Sequence, residues 1–191
     1  MSIKSFEIIK ENLINKLKGL DSRLSYHNIQ HTLDVVNQAE RIALNEEITD
    51  ERELYLLKIA ALYHDTGFLK LYDGHEEVSC GIFLEDAKNL ALSEEEETLI
   101  RELIMVTKLT SMPHTKLEKI LRDADLDYLG RPDFNEISNR LKKELLQFNL
   151  IENEHEWDVK QLDFLEKHRY HTKTSQALRE PVKQKNYLTL V

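Results

Sequence analysis

Residues that form turns are scarce in this sequence. Glycine occurs five times and proline three times among 191 residues. A sandwich or barrel of many short strands needs such residues far more often, whereas long helices do not. The scarcity therefore favours an all-α fold, and a chain of this length suits one domain with one sizeable core.

Cysteine and long apolar runs are also lacking. The one cysteine, Cys80, has no partner for an internal disulfide, so we predict a buried thiol. The first 17 residues are amphipathic and charged, without the apolar segment of a signal peptide, and no run approaches 18 apolar residues. We expect a cytoplasmic protein with no membrane partner.

Positive charge is in short supply. Lysine and arginine number 26 against 35 acidic residues, which gives a formal net charge of −9. Such a chain repels a phosphate backbone, so we predict no binding to a nucleic-acid polymer. A small phosphorylated substrate stays compatible with this charge, because a bound divalent cation can reverse the field within one pocket. The sequence leaves a homodimer open.

Apolar residues recur at helical spacing along most of the chain. Asn28 can cap one helix, Thr49 or Asp50 can cap the next, and Ser93 with Glu96 forms a capping-box pattern. The pattern predicts helices over 5–19, 28–45, about 50–65, 75–91, 94–108, 114–122, 134–147 and 155–167. We predict that residues 1–191 form one domain, with a core at about 20–130 on which the helices of 131–191 pack.

Two further segments are assigned structural roles. The acidic run 94–97 lies at a predicted helix start, where it suits the helix dipole better than it suits metal binding. From Tyr170 onward we predict a final surface helix that is broken near Pro181.

Three short motifs carry the candidate chemistry. They read YHNIQH at 26–31, LYHDTG at 62–67 and RDADLDYLG at 122–130, and each lies at a predicted helix end. A single histidine in such a place is more often a core or capping residue, but that explanation does not account for the joint arrangement. In this order the motifs resemble the HD-domain phosphohydrolase superfamily, whose members bind metal through a first His, a His-Asp pair and a distant Asp.

The resemblance implies one divalent metal ion, which could be Mn, Fe, Co, Mg or Zn. Its ligands would be His31, His64, Asp65 and Asp125. Two neutral imidazoles and two carboxylates give a site whose net charge is near zero when the divalent ion is bound. An ion that favours six ligands then keeps two coordination positions free for reactants. The resemblance therefore implies a single-domain HD-type helical bundle with a metal site at its centre.

The distant aspartate has three candidates. Related segments place the ligand directly after an alanine, and here Asp125 follows Ala124, whereas Asp123 and Asp127 are the competing assignments. On a helix, side chains two residues apart point about 200° apart, so Asp123 and Asp125 cannot both reach one ion. We prefer Asp125.

The implied activity is metal-dependent hydrolysis of a small phosphoester. A nucleotide is the expected substrate, cleaved by a phosphomonoesterase or a cyclic-nucleotide phosphodiesterase type of reaction. The alternative is a catalytically idle HD module that binds metal or nucleotide and passes a signal to a partner. Intact ligands favour the enzyme.

Two residues are candidates for contact with the substrate. YHNIQH is similar to the YHN-x-x-H motif of cyclic-nucleotide phosphodiesterases, in which the first His serves as the acid, so His27 is predicted to be the general acid. The alternatives for His27 are a metal ligand four residues before His31 and a surface loop residue. Lys108 is the candidate phosphate contact, with ordinary solvent exposure as its alternative.

His75 resembles an extra histidine by which some HD proteins, including diadenosine tetraphosphate hydrolases, bind a second metal. Those relatives supply another His before the final Asp, but Thr107 stands near that place here and His114 follows seven residues later. We therefore predict one metal, with His75 near the mouth of the pocket or at the start of the next helix.

Overall fold

The computed structural model describes the backbone from Ile3 to Val191 and the side chains from Phe6 onward, and this part of the chain contains helices and no β-strand. The α-helices are α1 (Ile3–Leu17), α2 (Ile29–Asn45), α3 (Glu51–Tyr63), α4 (His75–Ala87), α5 (Glu94–Val106), α6 (Lys116–Asp125), α7 (Phe134–Gln147), α8 (Glu154–Lys167), α9 (Lys173–Leu178) and α10 (Glu180–Leu188). Short 3₁₀ helices cover Thr66–Leu69 and Asp127–Gly130. The predicted all-α fold is confirmed.

Helix α3 is the central helix of the bundle. Its sequence is apolar almost all round, and Leu57, Ile59 and Leu62 are fully buried. A helix of this kind needs neighbours on every side, and α1, α2, α4, α5 and α6 all pack against it. The last residue of α3 therefore lies deep in the protein, where it is followed by His64 and Asp65.

The predicted caps fix where the helices begin. Asn28 accepts hydrogen bonds from the backbone N–H groups of Gln30 and His31, Asp50 caps α3, and Ser93 and Glu96 form the capping box of α5. These local interactions place the first turn of α2, which carries His31, independently of the metal chemistry.

The C-terminal helices cover a second apolar cluster. Tyr128, Phe134 and Leu165 are buried there together with Tyr26. Hydrogen bonds also join the C-terminal segment to α6. The Asp123 carboxylate accepts them from the backbone N–H groups of His171 (2.9 Å) and Thr172 (2.8 Å). Residues after 131 thus form one wall of the space beside the end of α6.

The predicted final helix differs from the observed structure. The tail forms two helices, α9 and α10, and Pro181 lies in the first turn of α10, where its missing N–H removes no helical hydrogen bond. The tail is also not merely a surface helix, since Lys183 is fully buried and its ammonium donates to the His168 carbonyl at 2.6 Å. Among the helices between residues 3 and 191, none is long and apolar enough to cross a membrane.

Candidate metal centre

Three helix ends meet beside the buried end of α3. The first turn of α2 supplies His31, the residues after α3 supply His64 and Asp65, and the last residue of α6 is Asp125. Helices α2 and α6 both pack against α3. Packing of α3 against the preceding helix α2 and against the more distant α6 therefore brings the three motifs together.

Three of the predicted ligands, His31, His64 and Asp65, form one close group of donor atoms, and Asp125 lies beside its two histidines. His31 Nε2 lies 3.3 Å from Asp65 Oδ2 and 3.2 Å from Asp125 Oδ1, and His64 Nε2 lies 3.2 Å and 3.5 Å from the same two oxygens. Ligands at roughly 2.1 Å from a common ion are about 3.0–3.4 Å from their neighbours. The distances between the histidine nitrogens and the carboxylate oxygens match those around one ion.

Hydrogen bonding leaves the cluster suited to a cation. His64 Nδ1 bonds to the Ala61 carbonyl at 2.8 Å, so this nitrogen carries the proton and the Nε2 lone pair faces the cluster. Asp65 Oδ2 is buried and has no hydrogen bond of acceptable geometry, despite its closeness to both imidazoles. An unsatisfied buried carboxylate oxygen is costly unless a cation compensates it. These residues fit a divalent ion.

The charges of the cluster are strongly coupled. Burial opposes the charged imidazole of His31, but the nearby carboxylates of Asp125 and Asp65 outweigh it and raise the pKa of His31 to about 9. The pKa of His64 is raised in the same way, against burial. Burial also opposes ionisation of Asp65, yet the two histidines hold its pKa well below its usual value. Without an ion, the carboxylates therefore favour a protonated His31 at neutral pH.

We expect metal affinity to fall as the pH is lowered below about 9. A metal needs the neutral imidazole, and the raised pKa of His31 means that the ion must displace a proton at pH 7. The affinity should drop roughly tenfold per pH unit for each proton displaced. Calorimetric titration in buffers of different ionisation enthalpy counts the released protons. Binding of Mn²⁺ at pH 7 without proton release would contradict this expectation.

The two competing aspartates have other partners. Asp123 is fully buried and holds the backbone of His171 and Thr172. Asp127 lies 2.8 Å from both Arg41 and Arg179. Of the three candidates, Asp125 is the one that the structure brings to the two histidines.

His27 lies outside α2, directly before the cap residue Asn28, and beside the cluster rather than in it. Its Nδ1 contacts the carboxylate of Glu144, a fully buried residue of α7. Glu144 also accepts hydrogen bonds from the His27 N–H at 3.0 Å and from the Tyr72 hydroxyl at 2.8 Å. Burial opposes its ionisation, but the hydrogen bond with His27 and the neighbouring donors keep the pKa of Glu144 below its ordinary value. A charged carboxylate thus orients the imidazole.

Phe68 separates two histidines at the edge of the site. Its ring stacks on His27 at 4.2 Å and on His75 at 3.9 Å between centroids. His75 is the first residue of α4, and its Nδ1 bonds to the Tyr72 carbonyl at 3.0 Å, while its Nε2 lies 3.4 Å from Asp65 Oδ1. Gly67 permits this close approach, because a Cβ there would lie 1.9 Å from the His75 carbonyl oxygen.

Two cavities open beside the cluster. The smaller, of about 260 Å³, is lined by His31, Asp125, Arg131 and Arg140. Arg131 is already paired with Asp34 and Asp133, and Arg140 with Glu136. The positive charges of this cavity are therefore largely neutralised by their own neighbours.

The larger cavity, of about 630 Å³, contains the predicted substrate contact. Its lining includes Asp65, Asp125, His27 and Lys108. The Lys108 ammonium lies 2.6 Å from the Glu77 carboxylate, and its side chain is 37% exposed. Lys108 can reach a ligand in this cavity only by exchanging that exposed ion pair, which is a weak one.

Comparison with known proteins gives one family. A family model described as HD domain matches residues 28–127, about half of the chain. Searches of curated proteins and of solved structures gave no significant match. The matched range includes all four clustered residues, whereas His27 and Glu144 lie outside it.

Proposed function

We propose, from the premise that this chain belongs to the HD-domain superfamily of metal-dependent phosphohydrolases, that it hydrolyses a small phosphoester. The observation that carries the proposal is the group formed by His31, His64 and Asp65 at the end of α3, with Asp125 Oδ1 at 3.2 Å and 3.5 Å from the two histidines. The two cavities beside this group give a phosphoryl group access to the same place. The family resemblance alone suggests a nucleotide as the substrate.

The proposed ligands are His31, His64, Asp65 and Asp125. A divalent ion held there would lower the pKa of a bound water toward ~7 and polarise a phosphoryl oxygen. The protein's own contribution is to keep the Nε2 lone pair of His64 aimed at the cluster through the Ala61 carbonyl.

His27 is proposed to donate a proton to the leaving oxygen. Its Nδ1 is engaged by Glu144, so Nε2 is the nitrogen available to a substrate in the larger cavity. Phe68 stacks on the ring and restricts its rotation. A positioned imidazole can protonate an alkoxide at neutral pH, a step commonly worth ~10²–10⁴-fold. Lys108 would contact the phosphoryl group from the same cavity.

A panel of phosphoesters tests the proposal. The purified full chain is loaded in turn with Mn²⁺, Fe²⁺, Co²⁺, Mg²⁺ or Zn²⁺ and assayed for phosphate release from nucleoside monophosphates, from p-nitrophenyl phosphate and, by chromatography, for cleavage of cyclic nucleotides. We expect hydrolysis of at least one ester with at least one ion, and none with the metal-free chain. A chain that binds metal at these ligands but cleaves no ester would instead support the idle module.

A further inference from the structure

The larger cavity beside the metal centre has an apolar wall that the chemistry described above does not use. Helices α7 and α8 and the 3₁₀ helix Asp127–Gly130 supply most of this wall. Its half-buried members include Leu141, Leu145 and Phe164, and its buried members include Leu129 and Trp157. A volume of about 630 Å³ is in the range of ordinary small-molecule sites.

Most of the charged lining residues lie on other elements. The exception is Lys160 of α8, whose exposed ammonium is paired with Glu156 at 2.8 Å. Asp65, Asp125 and His27 form the end at the metal centre, and Lys108 follows α5. On the wall made by α7 and α8, Gln161 is the buried polar side chain, and its amide oxygen already accepts a hydrogen bond from Ser138. A nucleobase brings several donors and acceptors, and each one buried without a partner costs free energy.

We propose that this wall binds the organic group of the substrate, and that the preferred substrate is a phosphomonoester of an apolar alcohol, alkyl or aryl, in preference to a nucleotide. The inference rests on the proposed function, because the phosphoryl group is placed at the metal centre by that proposal. The cavity is continuous with this centre, since Asp65 and Asp125 line it together with the apolar residues. An apolar group attached to the phosphate would therefore extend along α7 and α8.

The smaller cavity does not offer an equal alternative for this group. Its lining contains Asp34, Arg131, Asp133, Glu136 and Arg140, most of them paired with one another. Burying an apolar chain against these ion pairs would remove water from charges without giving them new partners. The apolar group is therefore assigned to the larger cavity.

Binding of non-hydrolysable phosphonates tests the proposal without requiring turnover. The full chain loaded with Mn²⁺ is titrated with methyl-, butyl-, hexyl- and octylphosphonate and with the 5′-phosphonate of adenosine. Trp157 is the one tryptophan of the chain and lines the cavity, so its fluorescence reports occupancy, and calorimetry gives the affinity. We expect the dissociation constant to fall by up to about fourfold per added methylene, the value for full burial of a CH₂ group.

A pair of variants localises the effect. Leu141→Gln places an amide on the apolar wall and should reduce the gain in affinity per methylene. Leu99→Gln makes the same change at a partly buried leucine of α5 that packs on the core around α3, away from this cavity. It should leave the gain in affinity per methylene unchanged. Thermal unfolding and metal content of both variants show whether each is folded. Equal loss of the chain-length gain in both variants would contradict the assignment to this wall.

The outcomes separate this inference from the proposed function. Affinity that does not depend on the length of the alkyl chain overturns the inference. Tighter binding of the adenosine phosphonate than of octylphosphonate also overturns it. Both results would do so even if p-nitrophenyl phosphate is hydrolysed. A chain-length dependence that Leu141→Gln weakens supports the inference about the cavity. If in that case no ester is cleaved with any ion, the proposed hydrolysis fails and the binding site stands.

Discussion

Asp65→Asn should lose its metal and end hydrolysis. The Asp65 carboxylate contributes a negative charge beside both histidines, and the buried Oδ2 has no hydrogen-bond partner. The amide removes that negative charge, so the remaining ligands balance less of the positive charge of the ion. Since changes to groups that only support metal ligands already cost 10- to 100-fold, we expect a loss of more than about 100-fold in metal affinity and in turnover. Elemental analysis and the rate on the best substrate of the panel measure both.

The same substitution at two neighbouring positions provides matched controls. Asp125→Asn should behave like Asp65→Asn. Asp123→Asn should keep its metal and most of its turnover, but it should unfold at a lower temperature, because the amide cannot accept all the hydrogen bonds from His171 and Thr172. The lost hydrogen bonding should lower the free energy of unfolding by ~1–3 kcal/mol. A metal-free Asp123→Asn beside an active Asp125→Asn would make Asp123 the metal ligand in place of Asp125.

Most of the fold follows from local information in the sequence. Periodicity and capping residues predict the starts of α2, α3 and α5, because a cap is a contact between residues two or three apart. The tail was predicted less well, since the apolar pattern there is weak. Lys183 is buried by contacts with His168, fifteen residues earlier, and local pattern rules assign lysine to the surface.

The sequence predicts those residues of the candidate centre that stand in short motifs. His31 and the His64–Asp65 pair stand in short motifs at helix ends, so their order along the chain was informative. Glu144 could not be found in this way. It lies 117 residues after His27 in an ordinary amphipathic helix, and its burial depends on how α7 packs across the site.

The two cavities were likewise beyond sequence reasoning. The apolar residues of α7 and α8 look like any core-facing stripe, and only the distance between packed helices decides whether such a stripe closes on a neighbour or lines a space. The smaller cavity is lined instead by charged residues that come together from distant parts of the chain. Arg131 and Asp34 are 97 residues apart and meet beside the centre.

His27→Ala should keep the metal and slow the hydrolysis of substrates with poor leaving groups by ~10²–10⁴-fold. The His27 ring lies beside the cluster, and its Nδ1 is engaged by Glu144 rather than by a metal site. The loss arises because the leaving alkoxide must then take its proton from water. For p-nitrophenyl phosphate the effect should be much smaller, since p-nitrophenolate is a stable anion that needs little protonation. Rates on the two kinds of substrate, with metal content measured alongside, decide the role.

Glu144→Gln supplies the companion to this experiment. The amide keeps the size of the side chain but removes the negative charge beside the ring and can present an N–H group to Nδ1 in place of an acceptor oxygen, so the His27 ring should lose its fixed orientation. We therefore expect the rate on the substrate with the poor leaving group to fall, though less than in His27→Ala, with little change for p-nitrophenyl phosphate. Loss of metal from His27→Ala would make His27 a ligand, and an equal loss of rate on both substrates would remove the proton-donor role. A merely structural role for Glu144 would instead lower the rate on both substrates by the same factor, because a general loss of structure does not distinguish one leaving group from another.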